Sequence, residues 1–286
     1  MPRRLSAAQV DSYRRDGYVF PVPAFTGAEA SEMRRRLEAL AAGEGGRLSK
    51  RTNQKPHLLL PWLNDLIRHP ALLDAVEDVL GPDLLCWASG FFWKPPHDKG
   101  FVSWHQDSTY WGLSKPDVTT VWLAFSPSTR ASGCMRVVPG THLLDQVAHR
   151  DTFAADNLLS RGQEIEVAVD ESKAVDVTLR PGEFSLHHVR IVHGSEPNRS
   201  DEPRIGFAIR YLPTDVRQLS GVRDSATLVR GTDAFGNFDL EPRPASDFHP
   251  DAVALHAQML ERQTAILYAG AKVKPAYGQS KEIRVS

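Results

Sequence analysis

Two imidazoles and one carboxylate turned to one side of a sheet form the ligand set of a non-haem iron centre, because coordination positions then stay open for a cosubstrate and O₂. A His-x-Asp pair on a strand, or at its end, supplies two of these ligands together, since residues i and i+2 of a strand point the same way. The pattern occurs three times, as His105-Gln106-Asp107, His149-Arg150-Asp151 and His249-Pro250-Asp251. Context separates the copies. His249 directly precedes a C-terminal helical stretch, where Asp251 falls in the first turn as an acid favoured by the helix dipole. His149 lies in a polar stretch, residues 146–156, with no strand texture. Both read as solvated surface. His105 alone follows an aromatic strand-like run and precedes another strand.

A matching distal half lies at residues 182–195, a β-rich run ending in His193-Gly194-Ser195. Arg204 follows and opens the stretch Arg204-Ile205-Gly206-Phe207-Ala208-Ile209-Arg210-Tyr211. Its alternation puts Ile205, Phe207, Ile209 and Tyr211 on one face and Arg204, Gly206, Ala208 and Arg210 on the other. A face of small residues beside an arginine leaves room for a ligand, and a guanidinium there can grip a carboxylate with two parallel hydrogen bonds. Arg210, on the same face, is the second candidate for that role.

The segment Trp104-His105-Gln106-Asp107, the turn Pro139-Gly140-Thr141-His142, and His193-Gly194-Ser195 with Arg204 resemble the phytanoyl-CoA dioxygenase family. The opening pattern Leu5-Ser6, Gln9, Tyr13 and Asp16-Gly17-Tyr18 is similar to that family's first helix. The resemblance covers about residues 5–212. It implies a mainly β fold, a double-stranded β-helix (jelly roll, cupin-like) flanked by N- and C-terminal helices. It implies Fe(II) held by His105, Asp107 and His193, with 2-oxoglutarate and O₂ as cosubstrates. Arg204, with Ser195, is implied to bind the distal carboxylate of 2-oxoglutarate, and Trp122 matches a family tryptophan near it. His188 matches a family histidine that is not a ligand. His187 faces the same way as His193 by strand parity but is not counted among the ligands, and His142 reads as a hydrogen-bonding residue at a turn. Halogenases of this superfamily carry a small residue where Asp107 stands, so the resemblance implies a hydroxylase. The alternative is a catalytically inactive cupin-like protein that binds a metal or small molecule. The complete triad and Arg204 disfavour it.

The elements that must position these residues are legible from capping and punctuation. Ser6 and Thr26 have capping-box spacing and predict helices to about Asp16 and Leu40, with a strand over 18–22 between them. Pro70–Leu80 predicts a further helix. Seven β runs follow, over 84–94, 118–126, 134–138, 164–169, 175–179, 183–193 and 204–212, broken by Gly and Pro. A last helix covers about 250–267. The chain reads as a single oxygenase domain over 1–286, with a β core at about 84–212. Residues 213–248 are too long for a simple connection. They are expected to lid the site, with Arg223 or Arg230 gripping an anionic substrate group.

Composition narrows the partners. With 34 Lys and Arg against 35 Asp and Glu, the net charge of −1 argues against nucleic acid and anionic membranes. The expected partner is a small-molecule substrate, anionic or carrier-tethered. Cys86 and Cys134 sit in apolar runs and read as packing residues. The N-terminal residues carry charge without a following apolar run, so a cytoplasmic location is the default expectation.

Overall fold

The computed structural model describes residues 3–269 and 271. The N-terminal helices form where their caps demand. Ser6 and Thr26 each close a full capping box, opening α1 (Ala7–Asp16) and α2 (Gly27–Gly43). Gly17, at φ 86°, ends α1 in the left-handed region that a side chain disfavours. Two short helices not foreseen in the sequence, α3 (Lys50–Asn53) and α4 (Pro61–Leu66), precede α5 (Pro70–Leu80). The last helix, α6, spans Pro250–Leu267 as expected.

Among the described residues thirteen strands lie between these helices: β1 (Tyr18–Pro23), β2 (Leu84–Lys94), β3 (Val102–His105), β4 (Thr119–Ala124), β5 (Met135–Val138), β6 (His149–Asp151), β7 (Gln163–Ile165), β8 (Val175–Val177), β9 (Glu183–His188), β10 (Val192–Ser195), β11 (Arg204–Pro213), β12 (Ser225–Arg230) and β13 (Asp239–Leu240). The larger sheet runs β1-β9-β4-β11-β2-β12-β13 and the smaller β3-β10-β5-β8, with β6-β7 as a separate ribbon. Apart from β12-β13 all named pairings are antiparallel. This is the expected jelly-roll arrangement with helices at both ends.

The predicted strand over 183–193 is in fact two. β9 belongs to the larger sheet, and a corner at 189–191 carries the chain into β10 of the smaller one. Val189 and Ile191 are fully buried at the corner, so the apolar run continues although the strand does not. The 164–169 run pairs only through β7, against β6, which the sequence reading left as unstructured surface.

The β11 alternation is as read. Ile205, Phe207, Ile209 and Tyr211 join one core with Leu37, Leu63, Leu72 and Val76 of the helices. Ala208 joins the other core, between the sheets, with Trp122, Met135 and Val137.

A fully buried ionic network joins Lys55 to the strand β12 and to Glu241. Lys55 Nζ lies 2.5 Å from Glu241 Oε1 and donates to the Ser225 carbonyl at 2.9 Å. Thr227 and Ser225 hydroxyls donate to the two Glu241 oxygens at 2.7 and 2.6 Å. Burial alone would raise the Glu241 pKa, but Lys55 and His57 reverse that and hold the carboxyl well below its ordinary 4.5. A depressed carboxyl contributes stability that is present above its unfolded pKa and lost as pH falls through its folded one. Glu241→Gln, which strands the Lys55 charge, is expected to cost about 3–5 kcal/mol at pH 7 in urea unfolding. The gap from wild type should narrow as the pH is lowered below the ordinary carboxylate range.

Candidate active site

His105 ends β3 and His193 lies in β10, directly opposite it in the antiparallel register. Asp107 opens the short 3₁₀ turn after β3, where its backbone N–H donates to the Val189 carbonyl at the β9–β10 corner, 3.0 Å away. The His105 and His193 rings are 4.1 Å apart between centroids, and His105 Nε2 is 3.2 Å from Asp107 Oδ1. One ligand atom from each of the three residues falls within 4.8 Å of the others, so the trio can hold a metal ion.

Their orientation is set by backbone. His105 Nδ1 is 2.9 Å from the Ser103 carbonyl and 3.1 Å from that of His193, and His193 Nδ1 is 3.0 Å from the Ile191 carbonyl. An Nδ1–H donated to a carbonyl leaves the Nε2 lone pair free for a metal. Burial, aided by the charge of His105, pushes the His193 pKa down to about 4, so its imidazole is neutral and competent to ligate near neutral pH. Burial opposes ionisation of Asp107, but the His105 hydrogen bond and the imidazoles outweigh it and hold the carboxyl well below its usual range.

The triad opens into a cavity that Ser195, Arg204, Trp122 and Arg210 also line. Arg204 is 2% exposed, donates through Nη1 to the Gly133 carbonyl at 2.8 Å and lies 4.6 Å over the Trp122 ring. Its Nε has no partner, and among the described residues it has no ion pair. Gly206 makes this stacking possible, since a Cβ there would lie 1.9 Å from the Trp122 ring. Ser195 Oγ accepts from Lys94 Nζ at 2.7 Å. Sequence reasoning missed Lys94. The signal was a lysine closing the aromatic run Phe91-Phe92-Trp93, and the structure buries it completely. Burial, then the Arg204 charge, lowers its pKa to about 6.

A cavity rich in unmatched polar groups calls for a polar occupant. Thr120 Oγ1, His187 Nδ1, Arg204 Nε and Arg210 Nε are all buried without a partner here. That set fits a metal chelated by an anionic cosubstrate. His187 reaches the cavity from the larger sheet, its ring 5.1 Å from that of His193, so the two converge from opposite walls and not by parity along one strand.

One expectation needs correction. His149 is not solvated surface. Its Nε2 accepts the Gln106 N–H at 3.0 Å, and its Nδ1 lies 2.8 Å from the Val147 carbonyl and 3.0 Å from Thr109 Oγ1. It braces the peptide between two triad residues. The segment 213–248 lines neither this cavity nor the cleft beside it. Its β12 is built into the larger sheet next to β2. Arg230 is spent on Asp74 and Glu77 of α5, at 2.7 Å each, and Arg223 on Asp239 at 2.9 Å. His249 caps α6, and His142 bonds to the Arg14 carbonyl at 3.1 Å.

The model of the phytanoyl-CoA dioxygenase family matches residues 13–206. The chain belongs to this family. Among solved structures, the apo form of the non-heme monooxygenase ThoJ is 37% identical with a TM-score of 0.81, over 91% of this chain and 98% of that one. CytC3 with Fe(II) and alpha-ketoglutarate is 27% identical with a TM-score of 0.61, over 82% and 92%. A probable alpha-ketoglutarate-dependent hypophosphite dioxygenase of Stutzerimonas stutzeri is 30% identical over 181 residues, 63% of this chain and 62% of its own length. A probable phytanoyl-CoA dioxygenase of Caenorhabditis elegans is 27% identical over 54% of this chain and 52% of that protein. The chain thus spans about half to three fifths of the length of these two relatives. It is a phytanoyl-CoA dioxygenase family member with the cupin-like fold and a His-Asp-His site. None of its described helices is long and apolar enough to cross a membrane.

His193→Ala and Asp107→Ala are each expected to weaken Fe(II) binding, measured anaerobically by titration calorimetry, by more than the ~10–100-fold that loss of an outer-shell partner costs. His187→Phe should leave the affinity nearly unchanged. A comparable loss in that variant would make His187 a ligand.

Proposed function

We propose that this chain is an Fe(II)- and 2-oxoglutarate-dependent dioxygenase, acting as one domain, that hydroxylates or otherwise oxidises an aliphatic C–H bond of a small molecule. The carrying observation is the pairing, in one cavity, of a three-ligand metal trio with an arginine buried without a counter-ion. His105, Asp107 and His193 would hold the iron. Arg204, with Ser195, would take the distal carboxylate of 2-oxoglutarate, and Lys94, donating to Ser195 Oγ, would orient that hydroxyl. When bound, iron and cosubstrate supply a C–H oxidant generated from O₂ as 2-oxoglutarate is decarboxylated to succinate. Trp122 walls the cosubstrate site and fixes the Arg204 plane. The low pKa of Asp107 keeps it an anionic ligand across the working range. The two sheets exclude bulk water from the reacting atoms.

An inactive binding protein would leave the buried Arg204 charge without purpose, at considerable desolvation cost. Relatives support small-molecule oxidation more widely. An ectoine dioxygenase of Halomonas elongata is 24% identical over 238 residues.

Anaerobic protein with Fe(II) and 2-oxoglutarate is expected to show a weak visible charge-transfer band, and under O₂ to release succinate. A protein that binds Fe(II) but yields neither would refute the reading. Arg204→Ala should raise the apparent KM for 2-oxoglutarate by roughly 10- to 100-fold, the usual loss for a charged hydrogen bond, with iron affinity nearly intact. With Asp107 in the carboxylate position, added chloride or bromide should give no halogenated product by mass spectrometry.

A further inference from the structure

A second opening adjoins the triad cavity. It is a cleft walled by Trp87, Phe92, Trp93 and Trp111 and bordered by Leu159 and by Leu267 of α6. Phe92, Asp107 and Arg210 line both spaces, so they stand where the cleft meets the metal trio. Among the described residues that line the cleft, Asp107 is the one acid, whereas Arg47, Lys50 and Arg210 are basic. Arg47 is paired with Asp98 at 3.2 Å, so the excess positive charge rests on Lys50 and Arg210, and Asp107 is already committed to the trio.

Arg210 is the unusual member. Its strand is paired on both sides, at Ala88 and at Thr120, which fixes the side chain's root. The guanidinium lies 5.8 Å from the Phe92 ring centroid and 6.0 Å from that of Trp111. Aromatic faces hold a guanidinium in place without consuming its N–H donors. Nε is buried without a partner, and among the described residues the side chain forms no ion pair. Burial lowers its pKa, opposed by the field of Asp107, with which it does not pair. An unpaired buried charge is costly, and a fork of free donors is matched by an oxyanion. Arg204 and Arg210 stand six residues apart on β11, so the two guanidinium groups address different parts of the cavity.

We infer that Arg210 is the substrate anchor, and that the substrate is an elongated small molecule with an apolar or aromatic body and an oxyanion, a carboxylate or a phosphate, held by Arg210 beside the metal trio. The body lies along the tryptophan-lined cleft, and the anion brings the neighbouring carbons to the trio. This rests on the oxygenase reading above. It returns the anionic-substrate expectation to the site, through an arginine other than Arg223 or Arg230.

The test uses full-length protein, anaerobic, with Fe(II) and 2-oxoglutarate bound, and follows quenching of the cleft tryptophans. The probes are 4-phenylbutanoate, 3-phenylpropyl phosphate and neutral 4-phenylbutanamide. At least one anion should bind about tenfold or more tightly than the amide, the lower end of what a charged hydrogen bond supplies. Whichever anion is preferred identifies the oxyanion. Arg210→Gln should abolish the preference, Arg210→Lys should restore part of it, and both should keep the cosubstrate charge-transfer band. Arg47→Gln, at the exposed rim, should change it little. Equal binding of amide and anions, no binding of either anion at millimolar concentration, or preference retained in Arg210→Gln would overturn the inference. Loss of the charge-transfer band in Arg210→Gln but not in Arg204→Ala would also overturn it, by making Arg210 the cosubstrate's residue. Repeating the titration without iron separates the two readings. Absence of the wild-type band with anion preference intact would refute the oxygenase and spare the anion site.

Discussion

The antiparallel pairing of His105 with His193 is the constraint on which the site depends. Two residues 88 positions apart are brought face to face by one rung of a short sheet. β10 can hold that rung only because its other edge is paired with β5 through four consecutive residues. The corner before β10 supplies the carbonyl that receives the Asp107 N–H, so the third ligand is fixed by the same turn. Imidazole orientation then follows from Nδ1–carbonyl contacts within β3, across to β10 and at the corner before it, and requires no distant side chain.

Buried charge is handled in two opposite ways in this molecule. Around Glu241 the carboxylate oxygens are met by a lysine and two hydroxyls, and the network ties the segment before α4 to β12. It is a closed structural joint, of the kind where removing one partner is costly. Around the triad, donors and acceptors are left open on several walls. Burial is similar in both places. The difference is that the first set is complete within the chain and the second awaits a ligand, which is the physical distinction between a core and a site.

Much of this was legible in the sequence. Caps at Ser6 and Thr26, the period-2 alternation of β11 and the His-x-Asp pair flanked by β texture are local signals, and local signals survived folding. What failed was non-local. Nothing in Leu186-His187-His188-Val189-Arg190-Ile191 marks a corner, because a buried turn keeps the same apolar residues as a buried strand. Parity was therefore counted through a break, although His187 reached the cavity regardless. His149 read as surface because two of its partners, the Gln106 N–H and the Thr109 hydroxyl, lie about forty residues away in the chain. Arg223 and Arg230 attracted attention as charges in a long loop. Their acids, Asp239 on β13 and Asp74 with Glu77 on α5, became neighbours only when β12 joined the sheet edge. Lys94 was hidden for the converse reason, a charge at the end of a hydrophobic strand with no sequence neighbour to explain it.

Arg204 and Arg210 share one face of a single unbroken strand, six residues apart, which at the rise of an extended chain separates their roots by about 20 Å. β11 is in this sense a ruler. Side chains stand roughly perpendicular to a sheet, so the two guanidinium groups address different parts of one cavity. The pleat repeats every two residues, and the small residues Gly206 and Ala208 occupy the marks between. A descendant of this chain could therefore exchange the residue at one mark and acquire different clients, while the other mark and its occupant remain as they were. The spacing belongs to the backbone, and point substitution of side chains does not alter it.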